Sequence, residues 1–121
     1  MSEITSYRDL IVWQKSLALV TEVYKLTNTF PQDEKFGLVS QMRRCSVSIP
    51  SNIAEGRSRG SRKDYRHFII IAFGSGAELE TQVLIAKNLG FLPHDKADKI
   101  IQELSEIMKM LNGLISKLDQ K

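Results

Sequence analysis

Apolar residues recur at alternating three- and four-residue intervals along four long stretches of this 121-residue chain, which is the period of one face of an α-helix. Leu10, Trp13, Leu17, Val20 and Tyr24 form the first stripe and predict a helix over about 7–28. Val39, Met42, Ser46, Ile49 and Ile53 predict a second over 33–57. Tyr65, Phe68, Ala72, Ser75, Leu79, Gln82 and Ala86 predict a third over 61–88. Ala97, Ile101, Leu104, Met108, Leu111, Ile115 and Leu118 predict a fourth over 93–118, and a second line of Ile100, Ile107 and Leu114 widens that face. No segment shows the sustained alternation of a strand. Four long helices with short connections give an all-α fold, an antiparallel up-down-up-down four-helix bundle, in one domain spanning 1–121. That length suits a single core.

Punctuation residues fit this division. Phe30-Pro31 stops the first helix, because the residue before proline is pushed out of the α region. Gln32 or Asp33 opens the second, with Glu34 in its first turn where the helix dipole favours an acid. Pro50 removes a ladder hydrogen bond and is expected to bend that helix, and Gly56 and Gly60 bracket its end. Ser61 is an N-cap for the third helix, with Asp64 as the acidic member of a loose capping box. Gly90 closes the third helix and Pro93 starts the fourth.

Hydrophobic residues at 42% and charged residues at 26% exclude a disordered or collagen-like chain. The opening MSEITSYRDL lacks the pattern of a secretory signal, so a cytoplasmic protein without a membrane partner is expected. Cys45 lies among apolar residues at helical spacing and reads as a small buried hydrophobe. His67 and His94 are 27 residues apart on separate helices and neither has a second His or a Cys at i+4 spacing, so no metal is expected, and no cofactor motif is present. Glu-x-x-His pairs of the di-iron bundles are missing as well. His67 with Arg66 and Asp64 supplies the residue types of a nuclease, but helical neighbours at i+1 do not face each other. A catalytic role for His67 is therefore the weakest reading, and no enzyme is expected. Gly74-Ser75-Gly76-Ala77 lacks the strand and Lys-Ser/Thr of a phosphate loop and reads as a surface for close helix packing. Glu55, Glu78 and Glu80 read as salt-bridge partners, with Arg43 or Arg44 set to pair with Glu55 or Glu78 inside or between subunits.

Net charge is only +3, so the distribution of charge matters more than its sum. Five of the 17 Lys and Arg, namely Arg57, Arg59, Arg62, Lys63 and Arg66, fall between Arg57 and His67 with one acid, Asp64. This basic elbow is either a phosphate-binding patch with Tyr65 available for base stacking, or a solvated loop and first helical turn. The third helix is apolar beyond its stripe, at Ile69, Ile70, Ile71 and Phe73, which suggests burial against a neighbouring subunit.

Several blocks together resemble a known family: Tyr7-Arg8-Asp9-Leu10 with Val12-Trp13-Gln14-Lys15, Phe30-Pro31 followed by Glu34, Leu38-Val39-Ser40-Gln41-Met42-Arg43-Arg44, Ser48-Ile49-Pro50-Ser51-Asn52-Ile53-Ala54-Glu55-Gly56, and Gly74-Ser75 with Glu78-Leu79-Glu80. Over about residues 7 to 118 the chain is similar to the four-helix-bundle proteins named after the intervening sequences of bacterial 23S ribosomal RNA genes. The resemblance implies an antiparallel bundle that assembles into a homopentameric ring. It also implies likeness in fold to the accessory protein of diversity-generating retroelements, a basic ring thought to bind nucleic acid and a reverse transcriptase. No catalytic residues come with it. Pro50 and Gly56 would shape the second helix, Asn52 and Glu55 anchor its end, and Arg44 and Glu78 form a polar contact in or between subunits.

The expectation is thus a homo-oligomeric, non-enzymatic protein that contacts RNA or DNA through Arg57, Arg59, Arg62, Lys63 and Arg66. Arg44, Asn52, Glu55, Glu78, Ile70 and Phe73 serve structural or subunit contacts in this reading. A protein-interaction adaptor that ignores nucleic acid is the alternative, and a nuclease using His67 the third.

Overall fold

Each of the four periodic stretches is a helix in the computed structural model, which describes residues 6–119. The helices are α1 (Ile11–Thr27), α2 (Leu38–Ser58), α3 (Arg62–Asn88) and α4 (His94–Asp119), and no strand occurs among the described residues. Their pairing runs antiparallel between neighbours. Along α2 and α3, Cys45 meets Gln82, Ser48 meets Ser75, and Gly56 meets Phe68. Along α3 and α4, Arg62 meets Leu118, Arg66 meets Ile115, and Lys87 meets Asp98. Arg43 of α2 reaches back to Thr27 at the end of α1, and Lys15 of α1 pairs with Glu106 of α4 at 3.4 Å.

Two helix starts differ from the sequence reading. The segment Tyr7–Asp9 is a 3-10 turn and Leu10 is extended, so α1 begins at Ile11 rather than near residue 7. Gln32–Glu34 is likewise a 3-10 turn, and α2 begins only at Leu38, behind Gly37 at φ −105°, ψ −109°. Glu34 is therefore not in the first turn of the helix. Its side chain instead accepts a hydrogen bond from the Leu38 N–H at 3.2 Å, which satisfies one orphan donor of α2. α2 continues through Pro50 to Ser58, so Gly56 lies inside it, and the left-handed residue of the connection is Gly60 at φ +86°. Ser61 caps α3 as the sequence indicates, its hydroxyl accepting from the Asp64 N–H at 3.0 Å.

A larger correction concerns α1. Its buried line is Val12, Ser16, Leu19, Val23 and Thr27, one position off the stripe of larger apolar residues. Ser16 and Thr27 fit this line because their hydroxyls donate to their own helix, to Trp13 O at 2.9 Å and Val23 O at 2.7 Å, and present only small surfaces to the core. Leu17 and Tyr24 are left 46% and 40% exposed. The other helices bury Val39, Met42, Ser46, Ile49 and Ile53 of α2, Ala72, Leu79, Val83 and Ala86 of α3, and Ala97, Ile100, Leu104, Ile107 and Leu111 of α4. Each fully buried Leu or Ile contributes roughly 1.5–3 kcal/mol.

The α2–α3 seam is built from small residues. Gly56, Ala72 and Ser75 let the backbones approach, and the Ser48 and Ser75 hydroxyls hydrogen-bond across it at 2.9 Å. On α3, Gly76 faces the Met108 thioether of α4, whereas Gly74 faces open space.

Candidate nucleic-acid interface

Gly60 sets the geometry of the basic elbow. A left-handed residue between α2 and α3 turns the chain back within Arg59–Ser61, so cations from the last turn of one helix and the first turns of the next share one end of the bundle. α4 ends beside them, because α3 and α4 are antiparallel.

Four of the five elbow cations have partners within the chain. Arg59 pairs with Glu55 one helical turn earlier at 2.9 Å, and its guanidinium lies 5.0 Å from the centre of the Phe68 ring. Arg57 lies over the Tyr65 ring at 6.0 Å. Arg62 donates from Nε to Leu118 O at 3.2 Å and from Nη2 to Lys117 O at 2.7 Å. Arg66 donates from Nε to Ile115 O at 3.2 Å and lies 3.8 Å from the Asp119 carboxylate. Arg62 and Arg66 thus satisfy carbonyls in the last turn of α4, which carry the negative end of the helix dipole. Lys63 is exposed.

Arg62, Lys63, Arg66 and His67, with Ile70, Leu118 and Asp119, line a cavity of about 510 Å³ between α3 and the end of α4. A second cavity of about 230 Å³ lies on the other side of Arg62, lined by Arg57, Gly60, Ser61 and Tyr65 among others. Burial pushes the Tyr65 phenol above its ordinary pKa, against the opposing pull of the Arg57 charge. The phenol therefore stays protonated at neutral pH and can donate a hydrogen bond. An arginine engaged along one edge keeps N–H groups for another ligand, so the end of the bundle can take phosphate without losing its contacts to α4. His67 is exposed, with its ring edge-on to Phe68 at 5.4 Å, and no carboxylate hydrogen-bonds it among the described residues.

The residues assigned to structural contacts divide. Glu55 pairs with Arg59. Asn52 donates to Ser48 O at 2.8 Å and Ser48 Oγ at 2.9 Å, so it supports the Ser48–Ser75 crossing. Glu78 accepts from the Cys45 thiol at 3.7 Å, and among the described residues Arg44 forms no ion pair with Glu55 or Glu78. It is Arg43 that ties two helices together, but through α1: it donates to Thr27 Oγ1, Tyr24 O and Asn28 Oδ1 at 3.0, 3.3 and 3.0 Å. Phe73 is partly buried against the core, and Ile70 is 43% exposed. Three features were not visible in the sequence: the capping of α4 by the elbow arginines, the Arg43 network, and a cluster of Tyr24, Lys35, Phe36, Arg43 and Arg44 around one cavity. Their members are too far apart along the chain to form a motif.

Comparison with known proteins follows the same outline. Residues 8–113 match the family model described as 23S rRNA-intervening sequence protein. Among solved structures, the chain is similar to a protein of unknown function from the S23 ribosomal protein family of Bacteroides thetaiotaomicron VPI-5482. The two are 25% identical, with a TM-score of 0.79 over 87% of this chain and 98% of that one. No curated protein matches the chain.

Proposed function

The chain belongs to the 23S rRNA-intervening sequence protein family, and from that premise we propose that it is a non-enzymatic, self-assembling bundle that binds RNA or DNA through the end where α2, α3 and α4 meet. The observation that carries this reading is the convergence of Arg62, Lys63, Arg66 and His67 on one cavity, with Arg57 and Arg59 on the same turn. Phosphate recognition needs donors with spare N–H groups in a cationic setting, and this end provides them.

Assembly is supported by the outer face of α3. Ile70, Ile71, Leu84 and Ile85, and Leu89 just past the helix end, are each 38–59% exposed, with Gly74 and Ala77 between them. α3 is apolar enough in composition to pass as a membrane-crossing helix, yet its inner side is bundle core, where Ala72, Leu79, Val83 and Ala86 are fully buried. A second copy of the chain is the cover that this outer face suits best. A pentamer, as the family resemblance implies, would repeat a weak elbow five times and raise affinity through avidity.

Fluorescence anisotropy with a labelled structured RNA, titrated at several salt concentrations, tests the binding. Affinity should fall steeply with salt, with a log–log slope of about 0.7–0.9 per phosphate contacted. Joint replacement of Arg57, Arg59 and Lys63 by Ala should flatten that slope. Affinity that ignores both salt and these substitutions sinks the proposal. Light scattering tests the assembly, and a monomeric mass would refute it.

The adaptor reading has one observation in its favour. Tyr7, Trp13, Leu17, Val20, Val47 and Pro50 line an apolar groove of about 380 Å³ between α1 and α2, well suited to an apolar protein segment. Recovery of a protein partner whose capture is insensitive to nuclease, together with no RNA or DNA affinity, would favour it.

A further inference from the structure

We propose that the opposite end of the bundle holds a second nucleic-acid contact, a stacking site for an unpaired base made by Phe36 and Tyr24 with Lys35, Arg43 and Arg44 placed for the flanking phosphates. This rests on the nucleic-acid reading above and adds to it a preference for single-stranded segments.

Phe36 is the starting observation. It is 89% exposed, more than any other large hydrophobic residue in the described chain. Its position is nevertheless fixed by the turn that carries it. Lys35 N donates to Gln32 O and Gly37 N to Glu34 O, both at 3.1 Å, while the Glu34 carboxylate accepts from Leu38 N. A lone exposed ring needs no explanation. Here, however, a second ring and three cations line the same cavity of about 310 Å³: Tyr24, Lys35, Arg43 and Arg44 together with Phe36.

The second ring is also held. The Arg43 guanidinium stacks 4.5 Å from the centre of the Tyr24 ring and is locked by its hydrogen bonds to Thr27, Asn28 and the Tyr24 carbonyl. The Lys35 ammonium lies 5.6 Å from the Phe36 ring centre. The acids of the same turn are Asp33 and Glu34, the latter keeping its charge while it accepts from Leu38 N, and the three cations Lys35, Arg43 and Arg44 outnumber them.

Rings beside a cationic groove are how proteins hold single strands: bases stack on the rings and phosphates follow the charges. A duplex hides its base faces and could use the cations alone. Docking of an apolar protein surface is the less favoured occupant, because it would strip water from Lys35, Arg43 and Arg44 without supplying an acid to pair with them. α2 separates the two ends by about 30 Å, from 1.5 Å of rise per residue over its 21 residues. One strand could therefore touch the elbow and the stacking end together.

The experiment compares a single-stranded RNA carrying a fluorescent base analogue with the same sequence as a duplex, against wild type, Phe36→Ala, Phe36→Tyr and Lys63→Ala. Phe36→Ala should weaken single-strand affinity about tenfold, the loss expected of one base stack, and should abolish quenching of the analogue. Duplex affinity and the salt slope should stay unchanged, and Phe36→Tyr should behave as wild type. The exposure of Phe36 makes the truncated variant safe for folding, which its thermal midpoint verifies. Single-strand binding that responds to Lys63→Ala but not to Phe36→Ala overturns this site and leaves the elbow reading standing. A change in the mass of the assembly on Phe36→Ala, with RNA affinity intact, overturns it in favour of a protein contact. Failure of wild type to bind any oligonucleotide removes both.

Discussion

One added methyl group separates the glycines of α2 and α3 by what surrounds them. A Cβ on Gly56 would lie 2.7 Å from Phe68 Cβ and 3.2 Å from Tyr65 O, rigid neighbours that must move apart. Gly56→Ala is expected to destabilise the bundle by about 1–3 kcal/mol in urea unfolding. Gly76 faces only the mobile end of Met108, so its substitution should cost less. Gly74 has nothing within 4 Å, and Gly74→Ala should stabilise an isolated bundle by about 1 kcal/mol through helix propensity. Cys45 offers a prediction in pH. Burial raises its pKa above the ordinary 9.0, the Gln82 N–H opposing and the Glu78 charge reinforcing the shift. The folded state therefore prefers the neutral thiol. Its contribution to stability is complete below pH 9.0 and is lost as pH rises beyond it, where the unfolded chain ionises first. A thiol reagent should react slowly with Cys45 at mildly alkaline pH, and faster after Glu78→Gln, with burial still holding the rate below that of the unfolded chain. An unchanged rate would show that Glu78 does not hold the thiol neutral.

Helix ends carry the next set of effects. Ser61→Ala removes the cap of α3 and should cost about 1 kcal/mol. Arg62→Ala frees the carbonyls of Lys117 and Leu118, so amides in the last turn of α4 should exchange faster by mass spectrometry, with a loss of at most about 1 kcal/mol for so exposed a site. Lys63→Ala should leave both observables unchanged. At this scale the sequence showed the number of helices, the Ser61 cap and the core line of α2. It misplaced the core face of α1, because residue type says nothing about a hydroxyl that bonds its own backbone, as Ser16 and Thr27 do. It placed the start of α2 early, because a 3-10 turn followed by Gly37 looks in sequence like a capped first turn.

For the whole molecule, the test lies on the outer face of α3. Leu84→Lys places a charge on a side chain 42% exposed and away from the bundle core. It should lower the mass measured by light scattering while leaving the helical content by circular dichroism intact; loss of both would mean that the residue supports the bundle itself. The elbow was legible as a run of cations, since the ten consecutive residues 57–66 hold them all. Its use as a clamp on α4 was not, because those hydrogen bonds join residues 49 to 56 positions apart. The same clamp has a consequence for how the chain can be rewired. It holds the end of α4 against the elbow, and α1 begins at that end too, since Lys15 pairs with Glu106 between antiparallel helices. Ser6 and Asp119 therefore face the same side. A short peptide joining them, with the chain reopened in the turn between Asn88 and His94, would give a circular permutant in which all four helices keep their neighbours.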